Sequence, residues 1–328
     1  MRTYKITISD IAKTMDISSI SVSRALSGQS GVSEELRNKI VEKAKEMGYY
    51  KVKIKENIKI LVLHQRPFVQ DSSNYSFMVQ GIEKAIQKVG CEYDLEFVDK
   101  YRQDNLYLPD KIEKGIVYQG IIFIGRFNNQ YVSFIESKIK NQVFYTGYSP
   151  SVDCDSVWYN FNNGGYKQCE CLIKKGHKNI GFLGNSSVYK NKEKVLGITS
   201  ALEDYGLPVK EDFFVYEENF EEKIKEVIDR KDGPTAIICQ WDYVAVKLIK
   251  FLYTINIKVP QDISIIASGN TEISALSIPS LTTLDMNIDY ACEVAVELLL
   301  KRINNSSKPY ENIAINSVLV ERDSIKEI

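Results

Sequence analysis

The stretch that most restricts the fold lies near the N-terminus: TISDIAKTMDISSISVSRAL, from Thr7 to Leu26. Ile8, Ile11, Ala12 and Met15 recur at helical spacing, Asp16-Ile17 interrupts them, and Ser18 supplies an N-cap for a second helix. Two short helices joined by a tight turn result. At about 100° per residue, Ser19, Ile20, Ser23, Arg24 and Ser27 share one side of the second helix, while Ser21, Val22, Ala25 and Leu26 share the other. One side packs, and the other is left to read something. Arginine takes guanine O6 and N7 as a bidentate pair, isoleucine meets a thymine methyl, and serine serves a base edge or a phosphate. A third helix is expected, capped by Ser33, with Glu34 and Glu35 near its positive end and Leu36, Ile40, Ala44 and Met47 along one side. Gly48 is the expected stop. Helix pattern alone leaves two readings open, a three-helix packing module with an incidental polar face and a groove reader.

At 328 residues the chain exceeds what one core usually holds, so two or three domains are expected, and 44% hydrophobic content can fill them. Net charge is −1 overall but uneven: residues 1–57 hold 11 Lys/Arg against 7 Asp/Glu, a local +4, and the remainder carries −5. The head is the part suited to a polyanion. Six cysteines (Cys91, Cys154, Cys169, Cys171, Cys239 and Cys292) show no disulfide-like spacing, which fits reduced thiols in a cytoplasmic chain. The N-terminus has no apolar signal region, and no run approaches the roughly 20 apolar residues of a membrane span. Neither secretion nor membrane insertion is expected.

Residues 50–57, YKVKIKEN, alternate lysines with Val52 and Ile54 and read as an extended connector. From Ile58 short apolar runs alternate with amphipathic helices: IKILVLH, a helix through Ile82 and Ile86, YDLEFV, a helix near Ile112, GIIFIG and QVFYTGY. After DSVWYN a second series follows: a helix through Leu172, NIGFLGN, a helix through Leu196, FFVYE, a helix through Ile224, TAIICQ, a helix through Leu248, and ISIIAS. Such alternation implies βαβ units and parallel sheets, and two series imply two lobes. A ligand site is expected between them, at the carboxyl ends of the strands.

The order TISDIAKTMDISSISVSRALSG followed by VSEELRNKIVEKAKEMGY closely resembles the N-terminal DNA-binding domain of the LacI/GalR family of transcriptional regulators, and Val22-Ser23-Arg24 and Met47-Gly48-Tyr49 keep their intervals. That resemblance implies that Ser19 and Ile20 distinguish operators, that Arg24 contacts base or phosphate, and that Ser18, Ser23 and Ser33 touch the DNA backbone, with Thr7 and Ser27 completing the interface. Asp16 departs from the usual Gly, although Asp tolerates a left-handed turn. The connector departs too, because relatives carry a hinge helix that wedges into the minor groove and none fits before Ile58. It is either a basic tether to phosphate, with the hinge absent or displaced, or a plain solvated connector.

The words QGIIFIGR, DSVWYNFNNGG, KKGHKNIGFLGN, VPQDISII, PSLTTL and LVERDS resemble the family's effector domain, which has the periplasmic sugar-binding fold. The implied architecture is α/β: a two-lobed periplasmic-binding-protein-like body of two parallel-sheet lobes behind a small helix-turn-helix domain. Its implied domains are the head at 1–49, the linker at 50–57 and the effector domain at 58–328. The N-lobe takes 58–160 and 288–315, and the C-lobe takes 161–287 and 316–328. By family position Tyr75, Arg126, Tyr148, Phe161, Lys194, Asp242 and Asn270 face the effector, with Trp241 beside them offering an indole face to a sugar. Each of those aromatics also reads as plain core, and Trp158 lies within a strand pattern. Lys194 stands where Arg is usual, Gly269 where Asp is frequent, and Asn160 replaces another frequent Asp.

The resemblance implies a repressor of a carbohydrate-utilisation operon that binds operator DNA as a homodimer and takes a small sugar as effector, with a lean to galactose from GIIFIGRF. A purine corepressor, a ligand-binding protein whose head contacts protein, and an enzyme on a sugar or nucleoside are the alternatives. No cofactor or metal is implied. The two histidines, His64 and His177, are far apart, with His177 reading as structural, and neither HExxH, GxxxxGK[ST] nor G-x-S-x-G occurs. A catalytic centre is therefore not expected.

Overall fold

The computed structural model describes residues 6–27, 29–47, 49, 58–65, 75–147, 153–185, 189–216 and 219–328, the side chains of Ser27, Lys45 and Tyr189 excepted. The readings of the 50–57 connector, of Gly48 as a helix stop and of Tyr148 as an effector residue lie outside the described residues.

In the head, α1 (Ile8–Met15) opens with a reciprocal cap: Asp10 N donates to Thr7 Oγ1 (3.3 Å), and Thr7 N donates back to Asp10 Oδ2 (2.9 Å). Asp16 closes it in the left-handed region, φ 54° and ψ 45°, reversing the chain where the sequence reading put the turn. Ser18 accepts from Ser21 N (3.0 Å) to start α2 (Ser19–Ser27), and Ser33 accepts from Leu36 N (3.3 Å) to start α3 (Glu34–Glu46). Ile11, Ala12, Val22, Ala25, Leu26, Ile40, Ala44 and Tyr49 form the core between these helices.

The body holds two six-stranded sheets. The first comprises β1 (Lys59–His64), β2 (Glu92–Phe97), β3 (Gly120–Ile124), β4 (Gln142–Tyr145), β5 (Asp155–Tyr159) and a late strand, Asn312–Ile315, in the order late strand, β5, β4, β3, β1, β2. Every pair in it is parallel. The central strands β1, β3 and β4 are buried almost throughout, because helices cover both faces; edge strand β2 is half-buried and carries Asp94 and Glu96. Helices α4 (Tyr75–Val89), α5 (Lys100–Asp104), α6 (Asp110–Glu113) and α7 (Asn129–Glu136) belong to this lobe.

After α8 (Phe161–Lys174) the second sheet begins: β6 (Ile180–Leu183), α9 (Tyr189–Asp204), β7 (Phe214–Val215), α10 (Glu221–Ile228), β8 (Ala236–Cys239), α11 (Asp242–Thr254), β9 (Ser264–Ser268), α12 (Glu272–Leu276) and β10 (Thr282–Asp285). Then α13 (Ile288–Asn304) and β11 (Asn312–Ile315) return to the first lobe, and β12 (Val318–Val320) adds antiparallel to β10 in the second. The chain thus passes between lobes three times, near residues 160, 287 and 316.

Two glycines let α8 and α9 touch backbone to backbone. A Cβ on Gly165 would stand 2.1 Å from Lys194 O, and one on Gly197 would stand 1.9 Å from Asn162 O. This contact holds the Lys194 turn of α9 directly against α8. The six cysteines are unpaired, and all but Cys91 are buried. Among the described residues no helix is long and apolar enough to cross a membrane, and no cluster of three or more His, Cys, Asp or Glu could hold a metal ion.

Candidate nucleic-acid interface and effector cleft

The two sides of α2 separate sharply. Val22 is fully buried, and Ala25 and Leu26 nearly so, while Ile20 is 64% exposed and Ser19, Ser23 and Arg24 are exposed beside it. An exposed isoleucine between hydroxyls on a core-packed helix leaves apolar surface that the head itself does not cover. Thr7, Ser18 and Ser33 are the N-caps of α1, α2 and α3, so their hydroxyls mark three helix ends where backbone N–H groups favour anions. The side chain of Ser27 lies outside the described residues.

Arg24 extends along the turn to α3: a Cβ on Gly31, whose φ is +101°, would sit 3.2 Å from Arg24 Nη1. Only glycine combines that dihedral with that approach. Sequence reasoning missed Arg37, which looks like one more solvated residue of SEELRNKI but is buried. Its Nη1 donates to Ala25 O (2.8 Å) and Arg24 O (3.1 Å), and its Nη2 donates to Gln29 O (2.5 Å). Arg24 and Ala25 lie in the last turn of α2 and Gln29 just beyond it, so Arg37 fixes the end of the helix whose other side is exposed.

In the body, the expected effector residues fall into three groups. Tyr75 and Arg126 meet the end of β3: Tyr75 is buried, its hydroxyl donating to Ile124 O (3.0 Å) and accepting from Gln65 N (3.0 Å). Arg126 is exposed on the rim of an open cavity of about 390 Å³ that runs along residues 126–130. Phe161, Lys194 and Trp241 form the second group. The Phe161 and Trp241 rings meet edge to face, centroids 6.1 Å apart at 88°, and Lys194 Nζ lies 5.4 Å from the indole centroid. Lys190, which the sequence reading did not single out, places its Nζ 5.5 Å from the Phe161 ring. Trp158 is half-buried in β5.

Asp242 and Asn270 form the third group and are held by the protein itself. Asp242 is buried; its Oδ2 accepts from Thr271 N and Oγ1 (both 2.8 Å), and its Oδ1 accepts from Thr283 Oγ1 (2.5 Å). Asn270, left-handed at φ 47°, donates to Asp285 Oδ2 (3.0 Å) and accepts from Arg322 Nη2 (2.6 Å). Both side chains are therefore fixed within the C-lobe, just beyond the carboxyl ends of β8 and β9. Both histidines are buried: His177 lies between Thr235 Oγ1 (2.8 Å) and Lys326 O (3.2 Å), and His64 packs on Tyr75 and Phe97.

Lys194 is buried, and its ammonium donates to Gln240 O (2.9 Å) and Ser268 Oγ (2.8 Å), both neutral. Burial pushes its pKa down from 10.5 to about 7, and Cys239 and Asp242 offset only part of that shift. Between those pH values the unfolded chain holds a proton that the folded chain has released, so stability rises with pH across the window. The unfolding free energy of the parent relative to Lys194→Met is expected to climb by about 1.4 kcal/mol per pH unit from pH 7 to 10. Paired denaturant titrations check this, and a gap that stays level contradicts it.

Known proteins match the chain along its length. A model described as "Bacterial regulatory proteins, lacI family" covers residues 7–51, and one described as "Periplasmic binding protein-like domain" covers residues 169–325. The HTH-type transcriptional repressor PurR of Aliivibrio salmonicida is 26% identical, with 98% of this chain and 99% of that protein covered. Among solved structures, the lac repressor dimer bound to operator and an anti-inducer superposes with a TM-score of 0.68 at 19% identity, covering 98% and 99% of the two chains. A complex of the transcriptional regulator CelR with cellobiose gives the same TM-score at 17% identity, covering 97% and 99%. With the helix-turn-helix geometry at one end and two parallel-stranded lobes behind it, the chain joins a lacI-family DNA-binding head to a periplasmic-binding-protein-like body and is a ligand-responsive, DNA-binding transcriptional regulator.

Proposed function

We propose that the chain is a cytoplasmic repressor that binds a two-fold operator as a homodimer and takes a small sugar between its lobes. The observation that carries the DNA half is the division of α2 into a buried side and an exposed side with Ile20 and Arg24 on it. In this reading Ser19 and Ile20 read base edges and Arg24 takes a guanine, while Ser23, Ser27 and the capping hydroxyls of Thr7, Ser18 and Ser33 set the head on phosphates. One small head makes few contacts, and a second on the adjacent half-site adds its own. Tyr253, Leu276 and Ile278, 82%, 71% and 90% exposed on and after α11 and α12, offer apolar surface to a second copy.

The sugar reading rests on the Phe161–Trp241 pair, whose rings suit the C–H face of a pyranose, and on the cellobiose held by a protein of the same fold. A purine corepressor is the second reading. It is favoured by the engagement of Asp242 with Thr271 and Thr283, which removes an acceptor a polyol would use, and by the PurR relative. Thermal-shift measurement with galactose, cellobiose and hypoxanthine separates the two. A true effector at about 100-fold its Kd adds about 2.7 kcal/mol, a shift of several degrees. A shift with hypoxanthine alone replaces the sugar, and no shift with any of the three contradicts both readings. The bound compound is expected to be recovered unchanged, as from a regulator and not an enzyme.

A further inference from the structure

Each of the three passages between the lobes carries an asparagine, and the three are tied together at one point. Asn160 Nδ2, on the first passage, donates to Asn316 Oδ1 on the third (3.0 Å). Asn287 Nδ2, on the second, donates to Asn316 O (3.0 Å). Asn160 N also donates to Ile315 O (2.9 Å), and Lys167 Nζ donates to Ser317 O (2.8 Å). Asn287 sits in the left-handed region at φ 53°, with its N–H donating to Asp285 Oδ1 (2.7 Å). The other oxygen of Asp285 accepts from Asn270, which in turn accepts from Arg322. A continuous line of hydrogen bonds thus runs from Arg322 and Asn270 in the C-lobe to all three passages.

We propose that Asn316 is a knot that holds the lobes in their present approach, and that Asn270 and Asp285 connect it to the occupant of the cleft. Rotation of one lobe against the other changes the backbone angles at the passages, so side-chain bonds between passages resist it in a way that bonds within one lobe cannot. These bonds are partly exposed and individually modest, each changing an equilibrium about 2- to 10-fold. They bias the lobes without locking them, as a ligand-driven population shift requires. The proposal rests on the ligand-responsive reading of the body, but its test needs no effector.

Trp241 reports the approach, because it belongs to the second lobe yet packs against the core of the first through Phe161. With Trp158 replaced by Phe, it is the remaining tryptophan of the two in the chain. In that full-length background, acrylamide quenching of Trp241 is expected to rise in Asn316→Ala and in Asn287→Gly. Combining Asn160→Ala with Asn287→Gly is expected to at least double the quenching constant. Asn316→Asp keeps the acceptor for Asn160 and is expected to behave as the parent. Asn105→Ala removes a comparable bond to Tyr101 O (2.9 Å) away from the passages and serves as the control for general loosening. Quenching in the knot variants that matches Asn105→Ala overturns the proposal, and if the combined variant does not fold, the two single variants decide it by the same comparison.

Discussion

Arg24→Ala is expected to abolish most operator selectivity while leaving the fold of the head intact. The side chain is exposed on the unpacked side of α2, so its loss opens no cavity in the core formed by Ile11, Val22, Leu26, Ile40 and Ala44. A bidentate arginine–guanine pair discriminates by roughly 1–3 kcal/mol, and a two-headed complex makes it twice, so operator affinity should fall by roughly 10²- to 10⁴-fold. Affinity for unrelated duplex should change far less, because phosphate contacts carry it. Fluorescence anisotropy on operator and scrambled duplexes at matched salt measures both. Equal losses on the two duplexes would reassign Arg24 to phosphate. No loss on either would favour a head that contacts protein.

The second large effect concerns stability. Asp155 is completely buried at the start of β5, where it accepts from Arg302 Nε (2.8 Å) and Nη2 (3.0 Å), Lys308 Nζ (2.7 Å) and Glu311 N (2.8 Å). Arg302 also donates to the carbonyls of Ser306, Lys308 and Pro309, and its guanidinium carbon lies 4.4 Å from the Tyr310 ring centroid. One carboxylate therefore fastens the whole return from α13 to edge strand β11. Removing it leaves the buried Arg302 guanidinium without its carboxylate partner, while Lys308 keeps Glu311 Oε1 (2.9 Å), and breaking a buried pair in this way costs about 3–5 kcal/mol. Asp155→Ala is expected to lower Tm by roughly 6–15 °C in a thermal melt at pH 7.

The same site sets an acid limit. Burial alone would raise the Asp155 pKa, but Arg302, Lys308 and the Glu311 N–H outweigh it and hold the carboxyl below its ordinary value. A depressed carboxylate contributes stability above its unfolded value, near 3.9, and loses it as pH falls through the folded value. Parent and Asp155→Ala should therefore differ by a constant amount from pH 7 to about 5 and converge only in stronger acid. Convergence near pH 6 would contradict this account of the site.

The parts of the fold legible in the sequence were those set by local pattern. Continuous apolar runs such as KILVLH, GIIFI and SIIAS became central strands, and the 100° spacing of SISVSRAL sorted buried from exposed side chains on α2. The caps at Ser18 and Ser33 and the turn at Asp16 followed from side-chain chemistry alone. Edges were less readable: among the described residues of FFVYE the paired ones are Phe214–Val215, at the sheet edge where a strand has one neighbour. The stretch around Ile112 gives only the four-residue α6, preceded by a five-residue α5.

Partnerships across long sequence separations were not readable. Asp242 looked like an acceptor for ligand hydroxyls, but Thr271 and Thr283 reach it, 29 and 41 residues further on. Nothing within SEELRNKI shows that Arg37 will cap another helix, or that asparagines 160, 287 and 316 will converge. Such contacts depend on sheet order and register, which local periodicity does not encode.

Selection of bound duplexes from a random pool by the purified full-length protein tests the base-reading role of α2 most directly, run in parallel with a variant changed only at Ser19 and Ile20. The parent should enrich a partly symmetric sequence, and the variant should enrich one altered at the same pair of positions in both half-sites. An unselected pool from the parent, or the same enriched sequence from both proteins, would contradict the assignment of the exposed side of α2 to base recognition.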